Sequence, residues 1–336
     1  MSNIVEQAFL KKYNTFGIDV KARWFSSFDS QSSLGEVLAA WPGPLLILGG
    51  GSNILLTRDF DGLVLRNEIK GIELVREDEQ YVYVRVGAGE NWHGFVQYAL
   101  GRNWAGVENL SLIPGSVGAA PMQNIGAYGV EIKDVFYELS AYQLKEKKVY
   151  AFSLNDCEFG YRESVFKGRY KDQFVLLDVT FRLNKVPHFH TEYGDIRTEL
   201  EKMGVQGLTI QAVSEAVINI RRSKLPDPAQ IGNAGSFFKN PTVTVPKFEA
   251  LKAAFPGIVG YPGPAGIKLA AGWLIEEGGW KGYRKGDAGC HARQALVLVN
   301  YGHATGQEIY DLSEEILQSV KAKFGVELER EVNIIF

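Results

Sequence analysis

Residues 44–53 read Pro-Leu-Leu-Ile-Leu-Gly-Gly-Gly-Ser-Asn. The short apolar run predicts a buried strand, and the three glycines after it predict a tight turn. Such a turn can offer unhindered backbone N–H groups to phosphate oxygens without a basic side chain. The dinucleotide fingerprint G-x-G-x-x-G is not met, because position 54 is Ile54. The turn therefore predicts an anion-binding loop that is not of the Rossmann type.

Two more glycine-rich segments repeat this chemistry. Gly87-Ala-Gly89 lies between a strand-like run at 81–86 and a helix whose apolar residues from Trp92 to Leu100 share one face. Residues 110–129 show neither the helical nor the strand period and contain several glycines. Taken singly, each loop can be explained by tight turns alone. Together they predict a long ligand that carries phosphate.

Residues 232–241, Gly-Asn-Ala-Gly-Ser-Phe-Phe-Lys-Asn-Pro, are the densest in polar chemistry. Gly232 and Gly235 flank the segment before Ser236 and predict a forced turn that presents the serine hydroxyl to a pocket. The alternative, that Ser236 only caps a turn, is equally open from this stretch alone.

Composition limits the class of protein. The chain has 336 residues, of which 46% are hydrophobic, so two or three domains are expected without stabilising crosslinks. Cys157 and Cys290 are the two cysteines, which favours a reducing cytoplasm. The net charge of −3, without a basic stripe, argues against a nucleic-acid partner. Neither an export signal at the start of the chain nor a membrane-spanning apolar stretch is indicated.

The remaining pattern is mixed helix and strand. Leu225-Pro-Asp-Pro228 is a stiff segment that suits a domain boundary. We expect strands at 135–144, 174–183, 294–300 and 326–336, and helices at 211–223, 247–255, 269–277 and 306–324.

Three charged residues are candidates for the chemistry. Arg162 follows a glycine turn and could bind a carboxylate or phosphate with two hydrogen bonds, although a surface salt bridge is the more common role of a lone arginine. Glu329 and Glu331 could share one face of a strand, and spacing alone does not choose between them. His291 and the other histidines have no neighbours that complete a metal site, so no metal is expected.

Six segments together resemble one family, the MurB family of UDP-N-acetylenolpyruvoylglucosamine reductases. They occur in the family's order and, with the flanking motifs, the resemblance extends from Asn14 to Val332. The segments are 48–53, 113–118, 123–129, 159–162, 232–241 and 268–275.

The resemblance implies an α+β fold. It would consist of a two-part FAD-binding region of the vanillyl-alcohol-oxidase (PCMH) type and a C-terminal α/β substrate-binding domain. The expected boundaries are 1–70 for the first FAD-binding subdomain, to which the strand 326–336 returns, 71–224 for the second, and 225–325 for the substrate domain.

The resemblance also implies FAD bound without a covalent link and NADPH as the reductant. The implied FAD contacts are Gly49, Gly50, Gly51, Ser52, Asn53, Pro114, Gly115, Ser116, Gly118, Asn124, Gly126, Ala127 and Arg221.

The implied reaction reduces UDP-N-acetylglucosamine enolpyruvate to UDP-N-acetylmuramate, for peptidoglycan and cell-wall synthesis. Hydride would come from flavin N5 and the proton from Ser236, with Arg162 and Glu331 as the other catalytic residues; the matched motif selects Glu331 over Glu329. The implied substrate contacts are Tyr128, Tyr193, Lys224, Asn240 and Gln294, and the segment around Tyr193 resembles the closing loop of the type I branch.

Two rival functions remain. A flavin oxidase of the same fold would need a base where Ser236 stands, and a flavin-binding or nucleotide-sugar-binding module without catalysis would be expected to lack Arg162, Ser236 or Glu331. We expect a cytoplasmic monomer that binds neither nucleic acid nor membrane. Because the chain ends at Phe336, five residues after Glu331, fraying of this end could loosen the placement of Glu331.

Overall fold

The computed structural model of the protein describes residues 4–336. The prediction of no export signal rests in part on residues 1–3, which lie outside the described residues. Within the described part, the chain divides into two compact units. Unit 1 contains the chain up to Ala8, Ala22–Gly50 and Asp61–Ser223, and unit 2 contains Phe9–Lys21, Gly51–Phe60 and Lys224–Phe336. The boundary at 223–224 lies just before the predicted stiff segment.

The strands in chain order are β1 (Val5–Phe9), β2 (Lys21–Phe28), β3 (Leu45–Leu48), β4 (Ile54–Leu56), β5 (Phe60–Asn67), β6 (Ile72–Glu77), β7 (Tyr81–Gly87), β8 (Gly126–Ala127), β9 (Val130–Glu131), β10 (Phe136–Gln143), β11 (Lys148–Ser153), β12 (Phe174–Asn184), β13 (Gly232–Ser236), β14 (Thr242–Val243), β15 (Gly260–Gly263), β16 (Gly266–Leu269), β17 (Arg284–Lys285), β18 (Ala288–Cys290), β19 (Val297–Asn300) and β20 (Asn333–Ile335). The α-helices are α1 (Gln31–Ala40), α2 (Trp92–Leu100), α3 (Ile196–Lys202), α4 (Ile210–Lys224), α5 (Val245–Ala254), α6 (Ala271–Glu277) and α7 (Gly306–Phe324).

The first sheet of unit 1 has the order β1-β2-β5-β3, and its strands β3 and β5 are parallel. Helix α1 begins at Ser30, whose hydroxyl accepts a hydrogen bond from the N–H of Ser33 and so satisfies a free helix-end donor. Leu34 and Val37 of α1 are fully buried in a core cluster with Leu63 and Leu65 of β5. The apolar run 45–48 is thus a strand, as the sequence predicts.

The second sheet of unit 1 is antiparallel, with the order β11-β10-β12-β7-β6. Helix α2 packs against it through the predicted apolar face, and Trp92 lies 5.7 Å from both Phe95 and Phe181 between ring centroids. The indole N–H of Trp92 donates to the carbonyl of Leu110 at 2.9 Å. That bond fastens the start of the irregular segment 110–129 to the core.

The segment 110–129 has only short regular pieces. One-turn 3-10 helices at Val117–Ala119 and Pro121–Gln123 are followed by the two-residue strands β8 and β9. The segment shows neither the helical nor the strand period in its sequence because it forms neither a long helix nor a long strand.

Unit 2 contains the sheets β13-β19-β18-β17 and β14-β16-β15, and the parallel pair β20-β4. Its long helix α7 starts with a reciprocal pair of hydrogen bonds between Thr305 and Glu308 and ends at Gly325, whose φ is +61°. The predicted helix 306–324 is confirmed at both ends. No helix within residues 4–336 is long and apolar enough to cross a membrane.

Four elements of unit 2 differ from the sequence prediction. The predicted strand 294–300 begins at Val297. The predicted helix 269–277 begins at Ala271, because residues up to Leu269 pair with β15. The predicted last strand 326–336 is reduced to β20. The turn predicted at 232–236 is instead the strand β13, paired with β19, since its long-range partner outweighs the local turn signal.

Candidate functional site

Two glycine loops of unit 1 touch through their backbones. A Cβ atom on Gly50 would lie 2.8 Å from the Cα of Gly115, and one on Gly49 would collide with the hydroxyl of Ser116. Gly115 itself has a φ of +119°, a backbone conformation that residues other than glycine rarely adopt. A side chain at Gly50 therefore requires a shift of one backbone, whereas one at Gly49 would displace the hydroxyl of Ser116. The two loops form one continuous surface.

The third predicted glycine turn joins this surface. Gly118 donates from its N–H to the carbonyl of Ala88 at 2.8 Å, and a Cβ on Gly118 would lie 2.6 Å from the Cβ of Ala88. The N–H of Trp92, at the start of α2, donates to the carbonyl of Gly115 at 3.0 Å. The structure thus brings together all three glycine segments. We call the residues 49–50, 87–89 and 114–118 the glycine cradle.

The predicted turn 49–53 is shared between the units. Gly51, Ser52 and Asn53 belong to unit 2, where the N–H of Thr15 donates to the carbonyl of Gly51 at 3.0 Å. Gly51 has a φ of +63°, and a Cβ there would collide with the carbonyl of Tyr13. Asn53 donates from its side chain to the carbonyl of Glu331 at 3.3 Å. These residues therefore support the segment that carries Glu331.

Arg221 on α4 is a half-buried cation with an unused donor. Its Nε is buried and has no hydrogen-bond partner within residues 4–336. Burial lowers the pKa of the Arg221 guanidinium, and nearby Tyr128 acts weakly in the opposite direction. A buried guanidinium that is short of a partner is the group that an incoming anion would satisfy. Together with the glycine cradle, Arg221 fits a ligand with a pyrophosphate, such as FAD.

His93 lies close to Arg221 without adding a second positive charge. Its Nδ1 accepts a hydrogen bond from the N–H of Leu112 at 2.9 Å. Burial, followed by repulsion from Arg221 and Arg222, lowers the pKa of His93. The lowered pKa favours the neutral ring, so the positive charge in this part of unit 1 comes from Arg221 and Arg222.

Arg162 lies in a turn between Gly160 and Glu163, which exchange backbone hydrogen bonds of 3.0 and 3.3 Å. Its own φ is +57°, an uncommon conformation for a residue with a side chain. The Nη2 of Arg162 donates to the carbonyl of Gly126 at 2.7 Å. The guanidinium is thus directed at the segment 126–127, which the resemblance assigns to FAD binding.

Ser236 is the last residue of β13, in unit 2. The register of β13 against β19 shifts between Asn233 and Ser236, and Gly235 between them has a φ of +70°. The N–H of Gly235 donates to the side chain of Asn233 at 2.9 Å, which stabilises this bulge. The predicted forced turn is therefore a bulged strand, which sets the direction of the half-buried Ser236.

Glu331 belongs to a segment that pairs with the residues after Ser236. The N–H of Glu331 donates to the carbonyl of Phe237 at 2.8 Å, and the N–H of Lys239 donates to the carbonyl of Glu329 at 2.8 Å. The carboxylate of Glu329 lies 2.5 Å from the ammonium of buried Lys239. The structure thus brings Glu331 next to Ser236 along the backbone and engages Glu329 in an ion pair.

The end of the chain is attached on both sides of Glu331. Arg330 donates to the hydroxyl of Ser313 at 2.8 Å and to the carboxylate of Glu314 at 2.5 Å, both on α7. On the other side, the N–H of Asn333 donates to the carbonyl of Asn53 at 3.1 Å. These bonds oppose the fraying expected from the short distance to Phe336.

Two of the predicted substrate residues of unit 2 meet at the first turn of α6. The side-chain oxygen of Asn240 accepts a hydrogen bond from the N–H of Ala271 at 3.0 Å. A Cβ on Gly272 would lie 3.2 Å from the side-chain oxygen of Gln294. Lys224, the third, is exposed at the end of α4. Asn240 therefore orders the start of α6 whatever else it contacts.

Tyr193 is 53% exposed, which excludes a packed core tyrosine. A Cβ added to Gly129 would lie 3.3 Å from the Cβ of Tyr193. Tyr193 is therefore close to Gly129 and to the preceding residue, the predicted substrate residue Tyr128. The buried side chain of Asn109 donates to the carbonyls of Tyr128 at 2.9 Å and of His190 at 2.7 Å. Asn109 was not predicted, because its partner His190 is 81 residues away in the sequence.

Comparison with known proteins gives two family matches. The FAD binding domain model matches residues 32–142, and the model of the UDP-N-acetylenolpyruvoylglucosamine reductase C-terminal domain matches residues 227–335. The chain is 53% identical over 333 residues to the UDP-N-acetylenolpyruvoylglucosamine reductase of Pseudomonas putida, covering 98% of each. It is 49% identical over 329 residues to the enzyme of that name from Flavobacterium johnsoniae, covering 97% of this chain and 98% of the relative.

Two solved structures share the fold. The UDP-N-acetylenolpyruvylglucosamine reductase (MurB) from Thermus caldophilus aligns with a TM-score of 0.68 and 23% identity, covering 99% of this chain and 98% of the other. The 6-hydroxy-D-nicotine oxidase of Arthrobacter nicotinovorans aligns with a TM-score of 0.51 and 11% identity, covering 97% and 87%. The predicted fold class, α+β with an FAD-binding region of the vanillyl-alcohol-oxidase type and a C-terminal substrate domain, is confirmed.

Proposed function

The chain belongs to the UDP-N-acetylenolpyruvoylglucosamine reductase family, and from this premise we propose that it reduces UDP-N-acetylglucosamine enolpyruvate to UDP-N-acetylmuramate with NADPH. It is a flavin-dependent oxidoreductase, and FAD is its cofactor. FAD bound there would supply the hydride chemistry between NADPH and the terminal vinyl carbon of the substrate. The product would serve peptidoglycan synthesis, in the cytoplasm.

For FAD binding, the backbone N–H groups of residues 49–50 and 115–116 in the glycine cradle would hold the pyrophosphate, and the buried Nε of Arg221 would donate to the same charge. The N–H groups of residues 87–89, 117 and 118 already donate to carbonyls within the protein and would shape the cradle. Ser52, Asn53, Gly126 and Ala127 are proposed as further contacts. The side-chain groups of Asn124 are bonded within the protein, so its contribution to FAD would come from its backbone. The division into three domains at 70, 224 and 325, and the monomeric state, also stay predictions.

Arg162 is proposed to stabilise charge on the substrate. When hydride reaches the vinyl carbon, negative charge develops on the neighbouring carbon and spreads into the carboxylate. A planar guanidinium can bind that carboxylate with two hydrogen bonds that strengthen as the charge grows. The turn between Gly160 and Glu163 holds Arg162 in advance, so little reorganisation is needed during the reaction.

Ser236 is proposed as the proton donor to that carbon, and Glu331 as its partner in the site. A hydroxyl is a weak acid, so the transfer requires a strongly basic carbon in front of Ser236 and a cation nearby, for which we propose Lys224. Tyr128, Tyr193, Asn240 and Gln294 would contact the nucleotide sugar. Closing of Tyr193 over it would exclude water.

The observation that carries this proposal is the hydrogen bond of 2.8 Å from the N–H of Glu331 to the carbonyl of Phe237. This bond pairs the segment of Glu331 with the residue after Ser236, although 95 positions of sequence separate Ser236 from Glu331. The pairing supports a shared role for Ser236 and Glu331. An alcohol-oxidising flavoenzyme would need a base at position 236, and the serine there favours reduction.

The test is NADPH oxidation by the purified holoenzyme. We expect oxidation that depends on UDP-N-acetylglucosamine enolpyruvate, together with a product that mass spectrometry shows to be heavier by two hydrogens. UDP-N-acetylglucosamine, which lacks the vinyl group, is the matched control and should give none. Equal NADPH oxidation with both compounds, or consumption of oxygen without a reduced product, would contradict the proposal.

A further inference from the structure

Asn124 is fully buried and has a φ of +44° and a ψ of 61°. Asparagine is among the few residues other than glycine that adopt this left-handed conformation readily. Its side chain also forms three hydrogen bonds. The Nδ2 donates to the carboxylate of Glu131 and to the carbonyl of Gly160, both at 3.0 Å, and the Oδ1 accepts from the N–H of Lys133 at 3.1 Å.

These bonds connect two segments that both contact Arg162. Gly160 is the base of the Arg162 turn, and Gly126, two residues after Asn124, provides the carbonyl to which Arg162 donates at 2.7 Å. A Cβ on Gly126 would lie 2.8 Å from the Cγ of Glu131 and 3.3 Å from Nη1 of Arg162, so the three residues are in close packing. Asn124 therefore fixes the separation between the base of the turn and the surface that its arginine reaches.

We propose that Asn124 is the positioning residue of Arg162. Its amide group holds Gly160 against Glu131, and this fixes where the guanidinium stands when the substrate carboxylate gains charge. The inference rests on the role of Arg162 in the proposed function. A glutamine or an aspartate could not replace it: the first has a longer side chain in a fully buried site, and the second lacks the two N–H donors.

The test uses Asn124→Gly, which permits the same backbone conformation and removes only the side chain. Asn103→Gly is the matched control, because Asn103 is also left-handed, with a φ of +57°, and lies on the surface of the same unit. We expect Asn124→Gly to retain FAD and its reduction by NADPH, and to slow reoxidation by the enolpyruvyl substrate about 10- to 100-fold, the size of effect that misplaced groups produce.

The double variant with Arg162→Met separates positioning from general damage. If Asn124 acts through Arg162, the double variant is no slower in reoxidation than Arg162→Met alone, because neighbouring residues of one network are not additive. Amide hydrogen exchange across 159–164 should also be faster in Asn124→Gly, without substrate present. Independent, additive losses or unchanged reoxidation and exchange would overturn the inference.

Two outcomes keep the inference distinct from the proposed function. If Arg162→Met itself leaves reoxidation unchanged, the proposed role of Arg162 is wrong, and the role of Asn124 with it. If Arg162→Met is slow and Asn124→Gly is not, only the positioning role fails.

Should Asn124→Gly not fold, the Asn124→Asp variant replaces it. An aspartate lacks both N–H donors, so reoxidation by the substrate should be slowed in the same way. The defect should be smaller at low pH, where the protonated carboxyl regains one O–H donor.

Discussion

The glycine cradle of unit 1 and the bulged strand of unit 2 are built on opposite principles. In the cradle, the backbone is the proposed binding surface, and a side chain at Gly50 would collide with the backbone of the facing loop. In the bulged strand, backbone pairing with β19 and with the Glu331 segment is complete without the hydroxyl of Ser236. The comparison teaches that substitutions in the cradle should abolish cofactor binding, whereas substitutions at Ser236 should alter chemistry and spare the fold.

The largest expected effect is that of Gly50→Ala. The added methyl would lie 2.8 Å from the Cα of Gly115, and because both are backbone positions one loop must shift. We expect protein that purifies without FAD, measured from the flavin absorbance per mole of protein. Gly35→Ala is the control, since a Cβ there meets nothing within 4 Å and lies inside α1. Full flavin content in Gly50→Ala would show that FAD binding does not depend on the glycine cradle.

Ser236→Ala should come next in size. General acid catalysis is worth about 10²–10⁴-fold, and here it is needed only when the substrate carbon is protonated. We expect normal FAD content and normal reduction by NADPH, with reoxidation by the enolpyruvyl substrate slowed by that factor in stopped-flow measurements. Ser223→Ala, on an exposed serine of α4, should change neither step. Equal slowing of both steps would make Ser236 a structural residue.

Tyr193→Phe should have a smaller effect, on affinity. The ring is retained and one hydroxyl contact to the substrate is lost, so binding of the enolpyruvyl substrate should weaken about tenfold while NADPH reduction is unchanged. Hydrogen exchange across 186–195 should show protection on substrate binding. Tyr137→Phe, at a partly exposed tyrosine of β10, is the control. Identical exchange with and without substrate, together with unchanged affinity, would leave the closing loop unsupported.

The smallest expected effect concerns stability rather than chemistry. Burial raises the pKa of Glu108, whose carboxylate accepts from the N–H of Gly106 at 2.6 Å. A carboxyl whose pKa is raised on folding stabilises the protein below its ordinary pKa, and this contribution is lost as pH rises through the folded pKa. Glu108→Gln keeps the acceptor without the charge, so the free energy of unfolding of this variant should rise relative to that of the wild type as pH increases.

Denaturant midpoints at a series of pH values would measure the Glu108 effect. A constant difference between Glu108→Gln and the wild type at every pH would show that Glu108 does not titrate abnormally.

The sequence predicted those features whose causes are local. Helix α7 has a strong apolar period, a Thr305–Glu308 start and a left-handed Gly325, so all its signals lie within it. The glycine turns were predicted for the same reason. In contrast, β13 was expected to be a turn, because its pairing partner β19 is about 60 residues away and leaves no local mark.

The site was predictable by motif and not by geometry. Ser236, Arg162 and Glu331 were selected by resemblance, and spacing alone left Glu329 and Glu331 equivalent. The motif selects Glu331, and the structure shows Glu329 in an ion pair with Lys239. Asn109 and Asn124 show the limit most clearly: the first bonds a partner 81 residues away and the second a partner 36 residues away, and these contacts exist only in the folded chain.

The central claim is that the bound flavin serves two reactants in turn, and an anaerobic titration of the holoenzyme tests it most directly. We predict that NADPH bleaches the flavin absorbance, and that stoichiometric UDP-N-acetylglucosamine enolpyruvate then restores it and yields UDP-N-acetylmuramate, whereas UDP-N-acetylglucosamine does not. A flavin that stays reduced when the enolpyruvyl substrate is added, or one that NADPH does not bleach, would contradict the account.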